Sequence, residues 1–488
     1  MNSLFKIFWC LGILLFPSAP APAQELPVSF RNDIMPILSR GSCNTGGCHG
    51  HRDGKGDLKL SLWGEKPEND HAALLEGARR VKPSSPAASW ILRKPTLQME
   101  HKGKKRFGPE SPEYSLLLRW IEQGAGDDYD DATRLRSLEV TPDSSILNEP
   151  QRSLQLKVWA TFEDGERRDV TYWATYSLSN LLAEIDPVGK VTFLKPGETT
   201  VLTRYLDKHV STRITLLPER PGFAWNDPLP VNYIDEHIFT KLRRLRMNPS
   251  GLCDDATFVR RAFLDIIGTL PTAAEARSFV ADPAKDKREK LIKQLLQRPE
   301  YSQFWALKWS DLLRNEEKVL DSTGVEAFHR WMCESFDQGK GIDQFVRELL
   351  TARGSTYKNP PANYYRALRN PTDRSEATAQ LFLGARLRCA KCHNHPFDRW
   401  TQDEYYKFAA LFDGIDYKVI ENKRRDKFDK NTFVGEQEVQ LVPERKFKDP
   451  RSKKPPEPGH LGSEAVALNS EQDRFEQLAD WILSLIHI

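Results

Sequence analysis

Apolar and polar positions follow three different patterns along the chain. Residues 24–132 begin and end with apolar positions at helical spacing, with a glycine-rich loop between them. Within residues 133–218 apolar positions recur every second residue, which is typical of half-buried β-strands. Beyond a proline-rich linker at 219–231 the spacing of amphipathic helices returns. The pattern predicts a small α-helical domain, a β-domain and a larger, mainly α-helical domain.

Particular residues predict elements of the first two domains. Ser111, Pro112 and Glu113 predict a helix start, because serine caps free N–H groups while proline and an acid favour the first turn. Alternating apolar residues predict a strand in the second domain: Leu154, Leu156, Val158, Ala160 and Phe162. Further strands are predicted at 170–176, 190–193 and 199–205. Short strands at this spacing indicate a β-sandwich.

The third domain, residues 232–415, is predicted to be helical. Apolar faces predict helices at the following residues: 233–245, 255–267, 288–296, 304–313, 325–336, 342–350, 375–387 and 402–412. Residues 416–469 are polar and basic, which predicts a solvated, loop-rich segment, with a surface for an anionic partner as the alternative. A last helix is predicted to begin near Ser470, and we expect residues 470–488 to be the start of a truncated region.

The first 23 residues predict export. Lys6 precedes ten apolar residues, and Ala21-Pro22-Ala23 resembles a small-residue cleavage site. An uncleaved anchor is the alternative, but ten apolar residues are far fewer than the ~20 that cross a bilayer. We therefore expect residues 1–23 to be a cleaved signal peptide. The mature protein would be periplasmic, extracellular or at the cell surface, without a membrane span.

Composition narrows the class of protein. The 71 Lys and Arg residues are nearly balanced by 68 Asp and Glu, and the net charge of +3 argues against nucleic acid as a partner. Seven cysteines among 488 residues are too few for a disulfide-dense miniprotein. The spacing of these cysteines is therefore more informative than their number.

Cys43, Cys48 and His49 form a C-x4-C-H motif, a widened form of the C-x-x-C-H haem-attachment pattern. Two thiols can form thioethers to haem vinyl groups while the adjacent imidazole binds the iron. Gly46 and Gly47 are expected to supply the backbone freedom that two extra residues require. The alternatives are a Cys43–Cys48 disulfide and, less favoured, a zinc site, because only three ligands cluster here.

A haem at this motif needs a second axial ligand or an open position. His101 and Met99 both follow in the intervening loop, and His101 is favoured because the basic stretch around it resembles a structured loop. Ligation by two histidines would favour a lower reduction potential than ligation by histidine and methionine.

Cys389, Cys392 and His393 form an unmodified C-x-x-C-H, in which His393 would be the proximal ligand. Phe397 and Trp400 could wall a porphyrin, and His395 could bind a propionate or hold the loop. A Cys389–Cys392 disulfide or a thiol redox pair is the alternative.

The residue opposite His393 stays open between His237, His329 and others. Cys253 and Cys333 are expected to be buried thiols or to form one long-range disulfide.

These motifs resemble those of the planctomycete-type cytochrome c-like proteins, in which a C-x4-C-H cytochrome domain, a bacterial Ig-like domain and a large helical domain follow one another. The matching stretches are 41–50, 101–107, 111–125, 169–171, 189–192, 263–271 and 389–403. The resemblance implies a periplasmic haem protein with a cytochrome c-like domain at 24–132 and an Ig-like domain at 133–218. It supplies no substrate, and it suggests a role near carbohydrate breakdown.

We therefore expect an exported c-type cytochrome that transfers electrons to or from a redox partner protein. It would carry one haem c, and the second motif offers a site for another. One alternative is a haem-dependent oxidoreductase acting on an extracellular substrate, so enzymatic activity stays open. Another is a non-redox scaffold whose Ig-like domain binds glycan, and a cell-surface polysaccharide would then be the partner.

Overall fold

The computed structural model describes residues 27–51, 53–128, 130–395, 398–423, 434–443, 446–462 and 473–484. The chain divides into two compact units, Met1–Glu219 and Arg220–Ile488. The predicted signal peptide at 1–23 lies outside the described residues. None of the described helices combines the length and apolar character needed to cross a bilayer.

The first unit begins with a helical segment. A π-helical turn, Phe30–Ile34, leads into the first of four helices. The helices are Met35–Arg40 (α1), Pro67–Leu75 (α2), Trp90–Arg93 (α3) and Pro112–Glu122 (α4). The start of α4 is as predicted, since Ser111 Oγ accepts a hydrogen bond from the Tyr114 N–H and Pro112 occupies the first turn. The core of this segment joins its two ends through buried side chains: Phe30, Ile34, Leu38, Leu117, Trp120 and Ile121.

Ten strands follow, and they confirm a β-region after the helical segment. The strands are Leu135–Thr141 (β1), Ser144–Asn148 (β2), Ser153–Gln155 (β3), Lys157–Phe162 (β4), Arg167–Asp169 (β5), Thr175–Leu178 (β6), Ala183–Ile185 (β7), Lys190–Phe193 (β8), Gly197–Tyr205 (β9) and Lys208–Leu217 (β10). They form three sheets with the orders β1-β4-β5, β2-β10-β9-β6 and β3-β8-β7. Four of the predicted alternating residues are fully buried in their shared core: Leu156, Val158, Ala160 and Phe162.

Two strand predictions are wrong in detail. The strand predicted across 154–162 is two strands, because β3 pairs with β8 whereas β4 pairs with β1. The strand predicted at 170–176 begins too early: residues 170–174 form a turn between β5 and β6, and only 175–176 belong to β6. Asp169 Oδ1 accepts hydrogen bonds from the N–H and the hydroxyl of Thr171, at 3.0 and 2.6 Å, and so turns the chain away from the extended conformation.

The helical segment and the β-region share a bonded boundary inside the first unit. Arg40 of α1 lies 2.9 Å from Glu113 of α4, and its guanidinium lies 3.9 Å from the ring centroid of Tyr172. Tyr205 of β9 donates a hydrogen bond of 3.1 Å to the Asn32 carbonyl. These contacts hold the two parts of this unit against each other.

The second unit is mainly helical, as predicted. Its helices are Tyr233–Arg244 (α5), Asp255–Ile267 (α6), Ala273–Ala281 (α7), Lys287–Leu296 (α8), Pro299–Leu312 (α9), Glu317–Asp337 (α10), Ile342–Thr351 (α11), Asn363–Ala367 (α12), Pro371–Phe382 (α13), Gln402–Ala410 (α14) and Arg474–Ile482 (α15). Its largest core contains buried aromatic and aliphatic side chains: Phe328, Met332, Leu349, Tyr364, Tyr365, Phe408, Phe412 and Phe475. A smaller core unites α6, α7 and α8.

The basic segment after residue 415 is only partly the loop that was predicted. Gly354–Ser355 (β11), Ile415–Val419 (β12) and Gln437–Leu441 (β13) form a sheet with the order β11-β13-β12. Gln437 and Val439 of β13 are buried, so a short alternating pattern inside a basic segment was overlooked. Helix α7 was also missed, although Thr272 and Glu275 form a capping box at its start.

Candidate functional site

The C-x4-C-H loop begins directly after α1 and is held by backbone hydrogen bonds. The Cys43 N–H donates to the Leu38 carbonyl at 2.8 Å, and the His49 N–H donates to the Cys43 carbonyl at 2.9 Å. The His49 carbonyl in turn accepts a hydrogen bond from the Leu60 N–H at 2.8 Å. The motif is therefore a closed loop that brings both cysteines and the histidine to one end of α1.

The glycine that this loop requires is not one of the two inside the motif. Neither Gly46 nor Gly47 has a positive φ or a close neighbour: a Cβ at Gly47 would meet no atom within 4 Å. A Cβ at Gly50 would instead lie 2.1 Å from the Asn44 carbonyl oxygen. The expectation for Gly46 and Gly47 is therefore wrong, because the tight approach is between the backbones at Asn44 and Gly50.

His49 and His101 face each other in the folded chain, although 52 positions separate them. Their ring centroids lie 6.4 Å apart and their planes are 10° from parallel. Two metal–nitrogen bonds of about 2.0 Å and the radii of two imidazole rings together span about 6 Å between centroids. The pair is therefore spaced as two imidazoles on opposite sides of one metal ion would be.

Both imidazoles are oriented by backbone carbonyl groups. Nδ1 of His49 lies 2.8 Å from the Lys55 carbonyl oxygen and 3.3 Å from that of Leu58. Nδ1 of His101 lies 3.0 Å from the Lys104 carbonyl oxygen. A carbonyl only accepts, so Nδ1 carries the proton in each neutral ring and Nε2 keeps its lone pair. This is the arrangement in which a histidine binds a metal through Nε2.

Burial keeps His49 in the form that can act as a ligand. Desolvation is the main cause that lowers the pKa of His49, and the nearby His101 and Lys94 lower it further. The imidazole is therefore neutral at pH 7, as a metal ligand must be.

A mainly apolar cleft lies beside the two rings. Cys43, His49 and His101 line it, and Met99 does not. The other lining residues are mostly apolar: Leu38, Gly56, Leu58, Leu60, Leu74, Arg80, Trp90, Ile91, Lys94 and Pro95. An apolar wall with a few convergent polar groups is typical of cofactor sites.

Both cysteines of the first motif are free thiols in the structure. Burial raises the pKa of the Cys43 thiol to about 11, so it is protonated at neutral pH. Cys48 lies beside the guanidinium of Arg106, whose Nη2 is 3.3 Å from its Sγ. One thiol thus lines the cleft wall, and the other lies beside a cation.

These residues fit a porphyrin better than a bare metal ion. Across the described ranges, no group of three or more His, Cys, Asp or Glu side chains is gathered to hold a metal ion. Zinc in a structural site is bound by four protein ligands. A haem iron receives its four equatorial nitrogens from the porphyrin and needs only axial ligands from protein, which two facing imidazoles supply.

The second motif has a different environment. Cys389 and Cys392 are exposed free thiols on a short 3-10 turn, Arg388–Lys391. Nδ1 of the half-buried His393 lies 2.7 Å from the Asn394 carbonyl oxygen, which leaves Nε2 available to bind a metal ion. The neighbouring imidazole is that of His395: burial lowers the pKa of His395, and the nearby His393 lowers it further.

The loop after the second motif is nevertheless well anchored. The Lys391 carbonyl accepts hydrogen bonds from Tyr406 and Gln402, at 2.9 and 3.2 Å. Trp400 is buried with 9% of its surface exposed, and its indole N–H has no hydrogen-bond partner in the described chain. Phe397, the other predicted wall residue, lies outside the described residues.

The remaining candidates lie in the second unit. His237 is exposed on α5, and His329 on α10 contacts Ser310 and Cys333, each at 3.5 Å. Cys253 and Cys333 are separate, partly buried thiols. Burial raises the pKa of Cys333, which keeps it protonated.

One family model is similar to part of the second unit. Residues 233–417 match the family model described as PSCyt2: Protein of unknown function (DUF1549). The match covers α5 to α14 and includes Cys389, Cys392 and His393, whereas the first motif lies outside it. No curated protein matches the chain.

Proposed function

We propose that this protein is an exported c-type haem protein that transfers electrons, with its principal haem at the C-x4-C-H motif. The single observation that carries the proposal is the pairing of His49 with His101. Two parallel imidazoles, each with Nδ1 bonded to a backbone carbonyl, would hold a haem iron through their Nε2 atoms.

Each residue of the site has a distinct role in this proposal. Cys43 and Cys48 would bind the haem through thioethers, and His49 and His101 would be its axial ligands. When bound, the haem supplies a one-electron iron couple. The apolar cleft would exclude water from the iron, and two protein ligands would leave no open coordination position. A filled coordination sphere supports electron transfer rather than catalysis on a bound substrate.

We propose the second motif as a further haem site, so that the chain would carry one or two haems. Two thiols, an adjacent histidine with an available Nε2 and a buried indole N–H at Trp400, which has no hydrogen-bond partner among the described residues, support this. The exposure of Cys389 and Cys392 equally suits a thiol redox pair, so the haem content of each motif needs its own measurement.

The other parts of the chain would serve this role outside the cytoplasm. Residues 1–23 would direct export to a compartment in which haem can be attached to thiols. The partner there would be a redox protein. Residues 133–218 would be an Ig-like spacer or adhesive domain, as in the planctomycete-type proteins that the chain resembles. The rivals are a haem oxidoreductase and a scaffold that binds cell-surface polysaccharide.

Pyridine haemochrome spectra of the exported full chain would test the proposal. We expect one haem per chain if only the first motif is loaded and two if both are. The variant Cys43→Ser/Cys48→Ser should lose one haem, and Cys389→Ser/Cys392→Ser is the matched control for the other motif. A colourless protein whose cysteines form disulfides would refute the haem function and leave the scaffold.

The axial ligand can be tested separately. His101→Ala should open the ferrous iron to carbon monoxide, whereas Met99→Leu should leave it closed. If Met99→Leu opens the iron and His101→Ala does not, the assignment of His101 is wrong. An iron that binds carbon monoxide in the unmodified protein would favour the oxidoreductase.

A further inference from the structure

Positive charge is concentrated around the cleft of the first unit. Residues 79–106 contain nine Lys and Arg residues and a single acid, Glu100, for a net charge of +8. The whole chain carries +3, so all other residues together carry −5. A local excess of this size, in a protein with little net charge, marks one face as electrostatically distinct.

The folded chain gathers these charges on one rim of the cleft. Lys94 lines the cleft and lies 4.4 Å from the ring centroid of Trp90, another lining residue. Arg79 lies 5.8 Å from the same ring, and Arg80 lines the cleft as well. Arg79 and Lys94 therefore lie beside an aromatic side chain at the cleft edge, and Arg80 lines the same cleft.

The lysine-rich loop joins the same rim. The Met99 N–H donates to the Arg93 carbonyl at 3.2 Å, and the Arg106 N–H donates to the Pro95 carbonyl at 2.8 Å. These two bonds fix the ends of the loop beside Lys94. Three exposed lysines project from it, next to His101: Lys102, Lys104 and Lys105.

Acidic residues at the cleft are fewer than the cations. Two acidic residues lie close to Arg80, which donates hydrogen bonds to the backbone carbonyl groups of Asp57 and Glu76. Two acids reduce the positive charge without cancelling it, since residues 79–106 alone carry nine cations.

We infer that this rim is the docking surface for an acidic face of the protein that exchanges electrons with the haem. The inference rests on the proposed haem function, because the rim surrounds the cleft in which His49 and His101 face each other. Complementary charge would raise the association rate and orient the partner with its redox group towards the cleft.

Oxidation of the reduced full chain by two small probes of opposite charge would test this. Ferricyanide is anionic and hexaammineruthenium is cationic, and stopped-flow rates would be compared at about 10 mM ionic strength, where charges act over ~30 Å. In the variant Lys102→Glu/Lys104→Glu/Lys105→Glu we expect the ferricyanide rate to fall at least about tenfold and the ruthenium rate to rise. The glutamine triple variant should give a smaller change in the same direction.

The matched control reverses three exposed lysines of the β-region, Lys157, Lys190 and Lys195, with the same change in net charge. Equal rate changes in the control, or none in the rim variant, would overturn the docking surface. Retention of the full chain on immobilised polyglutamate gives a readout without haem. A colourless protein that still requires more salt for elution than its rim variant would refute the haem while supporting the acidic ligand.

Discussion

Gly103 lies against the imidazole of His101, so a Cβ at residue 103 would come within 2.7 Å of Cε1 and 2.9 Å of Nε2. The missing side chain leaves the space that the ring occupies. Position 103 therefore controls where the proposed axial ligand can lie.

Gly103→Ala should weaken His101 as a ligand. Overpacking costs about 1–3 kcal/mol, which is a factor of about 5–150 in the occupancy of the bound position. We expect the ferrous protein to gain carbon monoxide binding, measured by its visible spectrum. Gly47→Ala is the control, because no atom lies within 4 Å of the added carbon. Equal spectra for both variants would show that His101 is not held by Gly103.

Gly50→Ala should disrupt the C-x4-C-H loop. The new Cβ would overlap the Asn44 carbonyl oxygen, and backbone on both sides leaves no flexible side chain to move away. We expect a loss of at least about 2 kcal/mol in stability and a lower haem content in purified protein. Gly46→Ala, where the nearest atom is 3.9 Å away, should retain both. Full haem content in Gly50→Ala would contradict the account of this loop.

The stability of the first unit should depend on Asp70. This buried carboxylate of α2 accepts hydrogen bonds from the Ser61 N–H and, at 2.6 Å, from the Ser61 hydroxyl. Burial nevertheless raises its pKa to about 6. The unfolded chain releases this proton near pH 4. The contribution of Asp70 to stability is therefore greatest below about pH 4 and falls, by on the order of 3 kcal/mol, as the pH rises to about 6.

Asp70→Asn should remove that dependence, because the amide keeps the shape and does not ionise. Hydrogen exchange of the amides in α2 between pH 4 and 7, corrected for intrinsic rates, would measure it. Asp57→Asn, at an exposed position, should preserve the slope. The same slope in Asp70→Asn as in the unmodified protein would assign it to another group.

Asp321 should be essential to the second unit. Its Oδ2 lies 3.0 Å from Arg366 Nη2, and both side chains are almost completely buried. Tyr357, Gly435 and Gly324 donate three more hydrogen bonds of 2.8–2.9 Å to the carboxylate. Burial acts to raise the pKa of Asp321, but these hydrogen bonds hold it below its usual value.

Asp321→Asn should cost about 3–5 kcal/mol, because Arg366 would then face a neutral amide in the interior. A calorimetric scan should show one thermal transition lowered by about 10 °C. Glu139→Gln removes a pair with Arg167 in which both side chains are more than half exposed, and it should change stability by less than ~1 kcal/mol. A small effect at Asp321 would show that its hydrogen bonds, rather than its charge, stabilise the fold.

Local patterns predicted most elements of this protein. Apolar spacing located α6 at its observed bounds, because an amphipathic helix needs one continuous apolar face. It located four other helices of the second unit to within two residues: α5, α8, α11 and α14. The same logic failed at 154–162, where unbroken alternation spans two strands that belong to different sheets. Strand pairing depends on distant partners, which periodicity does not contain.

By itself the sequence determined the chemical types of the candidate sites: two thiols and a histidine at haem-attachment spacing, twice. It also restricted the ligand opposite His49 to a few residues. Only the tertiary structure decided that His101 rather than Met99 reaches the cleft and that Gly50 carries the steric demand of the loop. The physical reason is that the orientation of a side chain on a loop depends on the hydrogen bonds between the backbone of that loop and other parts of the chain. The sequence specifies which thiols and imidazoles are present. Backbone hydrogen bonds, such as those to the carbonyl groups of Arg93 and Pro95, specify where the loop carries them.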